Sequence, residues 1–495
     1  MERKNYLPVL TALEQFVSYA MKFRLNRETP SGETRVHQIS GIRLVYLGGE
    51  SCRQTFSEGE DLGSKRICDV PELLVTLFYD RSFVERGRKK CKKVSRSVAT
   101  NSVNLSTPQG LIRELKKMLP SLVNGLFDEF YASKLEDSKD AEEVKSEVIA
   151  LEDDSFSLDC IGKAPQSFSK KVQTLTQELY QIPYVSETSF TLGTQRKFWI
   201  VVDDRGQRII DKRDICILTS AISLINRKKV PIDFSDTLMT KTFEEMEQKL
   251  PEIREEIQRF LFSKERKQLE SGIYPLIFAP SAVGTLFHEA LAGHMLSGRY
   301  IAEGISTVFK SKIGKQIATD GFMEALKGLE IWDCPRDEEM LASYRYDMEG
   351  SSSQDVLLID RGKVLAYLHN KNFAARLGLP NNGHSLAGRF IDMVRLNNVD
   401  IPNAYCPEPR VSNLKVVGHD TVSLDEIKQT CFEQFGYYFW VESKSGAVLV
   451  DSGTFELQIE SLVKVYPDGS KEYFHGGKFS ANLTDFLDAI SKLAN

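Results

Sequence analysis

No run of about 18 consecutive apolar residues occurs in this chain, so an ordinary membrane-spanning helix is not expected. The opening MERKNYLPVLTALEQFVSYAMKF interrupts its apolar residues with acidic and polar ones, and so does not read as a secretion signal or an anchor. Paired cysteines are also lacking. The eight cysteines, at positions 52, 68, 91, 160, 216, 334, 406 and 431, are scattered, with no CxxC pair and no compact framework. They are expected to be reduced thiols in a cytoplasmic protein. Charge of one sign is absent too, since 64 basic residues stand against 69 acidic ones for a net charge of -5. That balance gives no overall field for nucleic acid or an anionic membrane. The one dense basic run, RGRKKCKKVSR from Arg86 to Arg96, lacks interleaved aromatics and is expected to be an exposed loop. No internal repeat recurs at a fixed period.

What is present suffices for a large core. A chain of 495 residues with 41% hydrophobic composition predicts two domains. Leu7 to Leu25 carries apolar residues at helical spacing, and RVHQISGIRLVYLGG and PELLVTLFYDRS read as strands. Leu135 to Asp154 is acid-rich and free of aromatics, which predicts an exposed loop or solvated helix. KFWIVVDD (Lys197 to Asp204) reads as a strand, and ICILTSAISLI after it as an apolar helix. A long charged helix is expected over about Asp236 to Glu270, with Pro251 kinking or splitting it. Beyond it the pattern becomes strand-rich, with hairpin signals at Arg361-Gly362 and Pro467-Asp468-Gly469. The expected fold class is α+β. It comprises an N-terminal α/β domain (1–235), a connecting helix (236–270) and a mostly antiparallel β-sheet domain (271–495) with a motif-bearing helix.

The chemistry concentrates in YPLIFAPSAVGTLFHEALAGHMLSGRY, Tyr274 to Tyr300. A short strand ends at Pro280, Ser281 is a candidate helix N-cap, and the helix that follows carries His288, Glu289 and His294. Two neutral imidazoles suit a divalent cation, and a neighbouring carboxylate suits deprotonation of its water. The spacing is not that of HExxH, in which the two ligands share one helix face. Six residues apart, the histidines of a regular helix point about 120° away from each other, at roughly 100° per residue. Convergence therefore requires a bulge or a break near Ala292-Gly293. The other reading is an amphipathic helix carrying two unrelated histidines.

These residues and their surroundings resemble the TldD/PmbA family, whose catalytic members carry HExxxH on a helix just after a strand. The resemblance continues in order through STVFKSKIGKQIAT, SYRYDMEGSSSQDVLLIDRGKVLAYLHNKNFAARLG, PEPRVSNLKV and GTFELQIESLVKVYPDGSKEYFHGGKFSANLTDFLDAI. It covers about Gly272 to Leu493, while the N-terminal half matches only in layout. It implies a two-domain fold that dimerises around a cavity, as a homodimer or with a paralogous subunit. It further implies a metal-dependent peptidase with a divalent metal, zinc first, as its cofactor, acting on unfolded or small modified peptides. By this resemblance His288 is the first metal ligand, Glu289 the general base, and His294 the second ligand across a one-residue insertion. The family's third ligand is a Cys beyond the closing helix, and no such segment occurs up to Asn495, so an altered metal site is expected. Cys406, His369, His384, His419 and His475 are candidate substitutes. Glu349 would lie near the cavity, and Arg410 and Asn413 are candidate contacts to peptide backbone. Because the family also includes members without the metal motif, a non-catalytic peptide-binding or partner subunit is the alternative. Neither nucleic acid nor a membrane is an expected partner.

Overall fold

The computed structural model describes residues 3–85, 88–132, 148–225, 231–262, 267–270, 272–317, 324–387, 407–419 and 421–490. Two long stretches of alternating burial organise the first half. Helix α1 (Leu7–Lys22) precedes four strands: β1 (Gly41–Ser57), β2 (Glu60–Cys68), β3 (Glu72–Glu85) and β4 (Arg88–Asn101). Helices α2 (Pro108–Ala132) and α3 (Gln166–Tyr180) then lead to β5 (Val185–Asp203), β6 (Arg208–Ile225) and β7 (Pro231–Thr240). The strands form one antiparallel sheet in the order β7-β6-β5-β1-β3-β4, with β2 also paired to β1.

Successive side chains of a strand point to opposite faces, and this sheet is covered on both. Leu44, Tyr46, Phe198, Ile200 and Val202 pack against α1 and α2. Val45, Leu47, Trp199 and Val201 face the other way, onto Tyr344, Met348, Leu386 and Ala387. That two-sided burial is why KFWIVVDD reads as an unbroken apolar run. Farther along the same strands, α3 and α4 (Phe243–Phe262) cover Phe190, Leu192, Leu218 and Ile222.

Three expectations are corrected here. ICILTSAISLI is not a helix but part of β6, paired along its length with β5 and β7. Its buried and half-buried residues alternate, so the period is 2, and its β-branched residues suit the pleat. The segment 236–240 is the end of β7, and the charged helix starts only at Phe243, continuing through Pro251. The basic run is not a loop: from Arg88 it forms β4, paired with β3. Most of the acidic stretch, 135–147, lies outside the described residues.

The second half begins with β8 (Leu276–Phe278), α5 (Pro280–Phe287) and the short α6 (Gly298–Ala302). Next come β9 (Leu329–Asp333), β10 (Val356–Asp360), β11 (Lys363–Val364), α7 (Lys371–Leu377), β12 (Ser385–Leu386), β13 (Glu408–Pro409) and β14 (Leu414–Gly418). The last elements are α8 (Leu424–Phe435), β15 (Tyr438–Leu449), β16 (Thr454–Val465), β17 (Lys471–Phe474), β18 (Gly477–Asn482) and α9 (Leu483–Ala489). One sheet runs β8-β15-β16-β17 with β18 on β16, and a second runs β11-β10-β9-β14. All these pairs are antiparallel except β8 with β15. The expected Arg361-Gly362 hairpin is present, with φ of 45° and 80°, the double positive φ of a type I′ turn. The other expected turn joins Val465 to Lys471, with Gly469 at φ 81°.

Polar contacts tie the sheet of the first half to the second half. The carboxylate of Asp211 accepts the amide N–H of both Arg345 (2.6 Å) and Tyr346 (2.8 Å). The Trp199 indole N–H donates to the Tyr346 carbonyl at 3.1 Å. Because Asp211 is buried, each amide bond also spares a carboxylate from being left unpaired.

Candidate metal centre

Strand β8 enters the sheet beside β15, and at Ala279 the chain is still extended. Pro280 then sits at the first position of α5, where its missing N–H and fixed φ cost nothing. The N-cap is therefore Ala279 rather than Ser281, and no side chain caps the helix. Eight residues later the α pattern gives way to a π turn over His288–Ala292. The Gly293 N–H donates to His288 O at 2.8 Å and the Leu296 N–H to Leu291 O at 3.0 Å, both five-residue steps. Ala290, Leu291 and Ala292 are fully buried in the core below, which fixes the turn from one side.

This turn is the local change in winding that the six-residue spacing demands. It brings the two imidazoles together, with ring centroids 5.6 Å apart and planes at 84°. Gly293 is needed for it. A Cβ at that position would lie 2.7 Å from His288 O and 2.8 Å from His288 Nε2. His294 Nε2 lies 3.3 Å from Glu289 Oε2, with the two side chains 22% and 13% exposed. Metal-ligating atoms of His288, Glu289 and His294 all fall within 4.8 Å of one another.

The donor set fits a divalent cation such as zinc. Ligands at about 2.1 Å from a tetrahedral zinc stand about 3.4 Å apart, close to the observed separation of Glu289 and His294. Burial holds the His288 imidazole below the usual histidine range. Arg410 and His294 push the same way, and Glu289 and Asp333 oppose them. The neutral ring is the form that binds metal.

Two features around the donors were not legible from the motif. Gly446 of β15 passes so close that a Cβ there would lie 2.8 Å from Glu289 Cγ, so the strand backs the carboxylate. A glycine inside the strand pattern KSGAVLV is the signal that marks such an approach. Tyr300 stands with its ring 6.3 Å from that of His294, and Arg299 lies over Tyr300 at 5.6 Å. Glu408 then joins Arg299 and Arg410, forming an ion pair with each. Sequence reading had no means to bring 299 and 408 together.

The remaining candidates are dispersed. Arg410 is partly exposed, and its charge is felt at His288. Asn413 is buried and committed to the chain around it. Its amide donates to Cys334 O (3.0 Å) and Ser343 Oγ (3.1 Å) and accepts the Ala342 N–H (2.9 Å). Glu349 lies 3.5 Å from Arg43 of β1, and its Oε2 accepts the Lys371 N–H at 2.9 Å. Neither Asn413 nor Glu349 joins the donor set. His384 pairs with Asp333 at 2.9 Å, and His419 with Glu330 at 2.9 Å. Among the described residues, His369, His384, His419 and His475 are not in the cluster. Cys406 lies outside the described residues.

With this geometry, the likeness to known proteins is specific. Residues 271–495 match the PmbA/TldA metallopeptidase C-terminal domain. Residues 271–495 thus form a domain of the TldD/PmbA type. It is 25% identical over 229 residues to a zinc metalloprotease TldD homolog of Saccharolobus solfataricus, covering 46% of this chain and 44% of that one. It is 26% identical over 202 residues to a metalloprotease TldD homolog of Buchnera aphidicola, covering 41% and 36%. The aligned parts are thus under half the length of these relatives. Across the whole chain the fold resembles that of a putative modulator of DNA gyrase from Bacteroides thetaiotaomicron. The TM-score is 0.64 at 13% identity, covering 98% of this chain and 93% of that one. It also resembles TldE from Thermococcus kodakarensis, with a TM-score of 0.61 at 12% identity, covering 98% and 94%. No helix among the described residues is long and apolar enough to cross a membrane.

Proposed function

We propose that this chain is a metal-dependent peptidase of the TldD/PmbA type, acting in the cytoplasm on unfolded or small modified peptides. What carries the reading is the π turn at His288–Ala292, which gathers two imidazoles and a carboxylate that a regular helix would separate. His288 and His294 would hold a divalent cation, zinc first among them. When bound, the cation lowers the pKa of its water to about 7 and polarises a carbonyl. Glu289, backed by Gly446, would be the group that accepts the proton from that water.

Arg410 is the substrate contact this reading favours, because it is partly exposed and near enough for His288 to feel its charge. Glu349 and Asn413 act more indirectly, by holding the segments around residues 334–351 in place. Assembly as a homodimer or with a paralogous subunit belongs to the same proposal and is read by light scattering. Cleavage of an unstructured peptide, lost in Glu289→Ala and in either histidine variant, tests the activity.

The alternative is a peptide-binding or partner subunit without catalysis. One observation favours it: Glu289 and His294 already satisfy each other at 3.3 Å. Full peptide affinity in a metal-free chain with no hydrolysis would select it.

A further inference from the structure

Beside α6 and α7, a cleft of about 550 Å³ opens between the two helices and the loop at residues 310–313. That volume is typical of a small-molecule site. Its apolar floor is deeply buried, Ile301 and Tyr367 being 2% exposed each, and Leu377 and Leu379 extend the apolar wall. The Tyr367 hydroxyl is already engaged. It donates to Phe309 O at 2.5 Å and accepts the Lys312 N–H at 3.1 Å, so it fixes the wall.

Charge in the lining has one sign. Lys310 and Arg376 stand among the lining residues, and among the described residues no acidic one does. Arg376 packs over the Phe373 ring at 5.3 Å. Neither cation forms an ion pair with a carboxylate among the described residues. An apolar floor beneath two uncompensated cations complements a molecule that is apolar at one end and anionic at the other.

We infer that this cleft binds a small amphipathic carboxylic acid, its carbon skeleton on Ile301, Leu377 and Leu379 and its carboxylate between Lys310 and Arg376. None of His288, Glu289 and His294 is among the lining residues, so the inference does not depend on the metal reading. Its ligand chemistry has two sources, a free aliphatic acid and the C-terminal residue of a peptide.

The test is calorimetric titration of the full chain, treated with chelator so that no carboxylate–metal contact contributes. The probes are octanoate with octanamide, and N-acetyl-Leu-Leu with its C-terminal amide. At least one acid is expected to bind tenfold or more tightly than its amide. That advantage is lost in Lys310→Ala/Arg376→Ala, and binding is lost in Leu379→Asp, circular dichroism confirming that both variants fold. Preference for octanoate identifies a free acid, and preference for the dipeptide identifies a peptide end. The inference is overturned if neither acid binds, if acid and amide bind equally, or if the double variant keeps the advantage.

Discussion

Two of the close histidine–carboxylate pairs among the described residues differ in everything except their chemistry. His294 and Glu289 lie 3.3 Å apart, partly exposed, at the end of a π turn. His384 and Asp333 lie 2.9 Å apart and are both fully buried. Asp333 also accepts from Ser412, through its amide N–H at 2.9 Å and its hydroxyl at 3.0 Å. His384 Nδ1 lies 2.9 Å from Asn382 O, and the His384 carbonyl accepts the Arg410 N–H. The closed pair joins β9 to the segments around residues 384 and 412 and is shut off from solvent. The open pair has His288 beside it and access from solvent. Proximity of a histidine to a carboxylate therefore does not define a site, but spare coordination and access do.

If that contrast is right, breaking the closed pair costs folding and breaking the open one costs metal. Asp333→Ala leaves His384 and Ser412 without their buried partner and is expected to destabilise the fold by about 3–5 kcal/mol. Denaturant unfolding measures this, while metal per folded chain stays at the wild-type value.

His369 sharpens the contrast through pH. It is buried next to His384, and burial, with His384 adding to it, lowers its pKa from 6.5 to about 4. Between those values the unfolded chain takes up a proton that the folded chain refuses, so stability is lost as pH falls from about 6.5 to about 4. The expected contribution is about 3 kcal/mol. Asp347 works against this trend. Burial, reinforced by Glu349, raises its pKa to about 6, so it favours the fold as pH falls through the same region. Subtracting the pH–stability curve of His369→Gln from that of wild type isolates the histidine.

The open pair responds to smaller changes. Gly293→Ala places a methyl group against His288 and is expected to weaken zinc binding at least tenfold, read by competition with a chromogenic chelator. Gly446→Ala presses on Glu289 from the neighbouring strand and should weaken zinc a few-fold. Equal loss of stability and no loss of zinc in these two variants would erase the distinction between the pairs.

How much of this was legible in the sequence depends on where the information sits. Leu7 to Lys22, KFWIVVDD and the Arg361-Gly362 hairpin were readable because periodicity and turn chemistry are local. ICILTSAISLI misled because an apolar run of eleven residues looks alike as helix or strand until its neighbours β5 and β7 are known. The HEALAGH motif announced its residue types, and its spacing predicted a bulge near Ala292-Gly293, close to where the π turn falls. The backing of Glu289 by Gly446, and the meeting of Arg299 with Glu408, depend on residues more than 100 positions apart.

The most direct test is elemental analysis of the chain purified without added metal, beside His288→Ala and His294→Ala. About one zinc or similar ion per chain is expected, lost in both variants, because each histidine is one of only three donors among the described residues. An absence of metal in the wild-type chain, or metal that survives both substitutions, would contradict it.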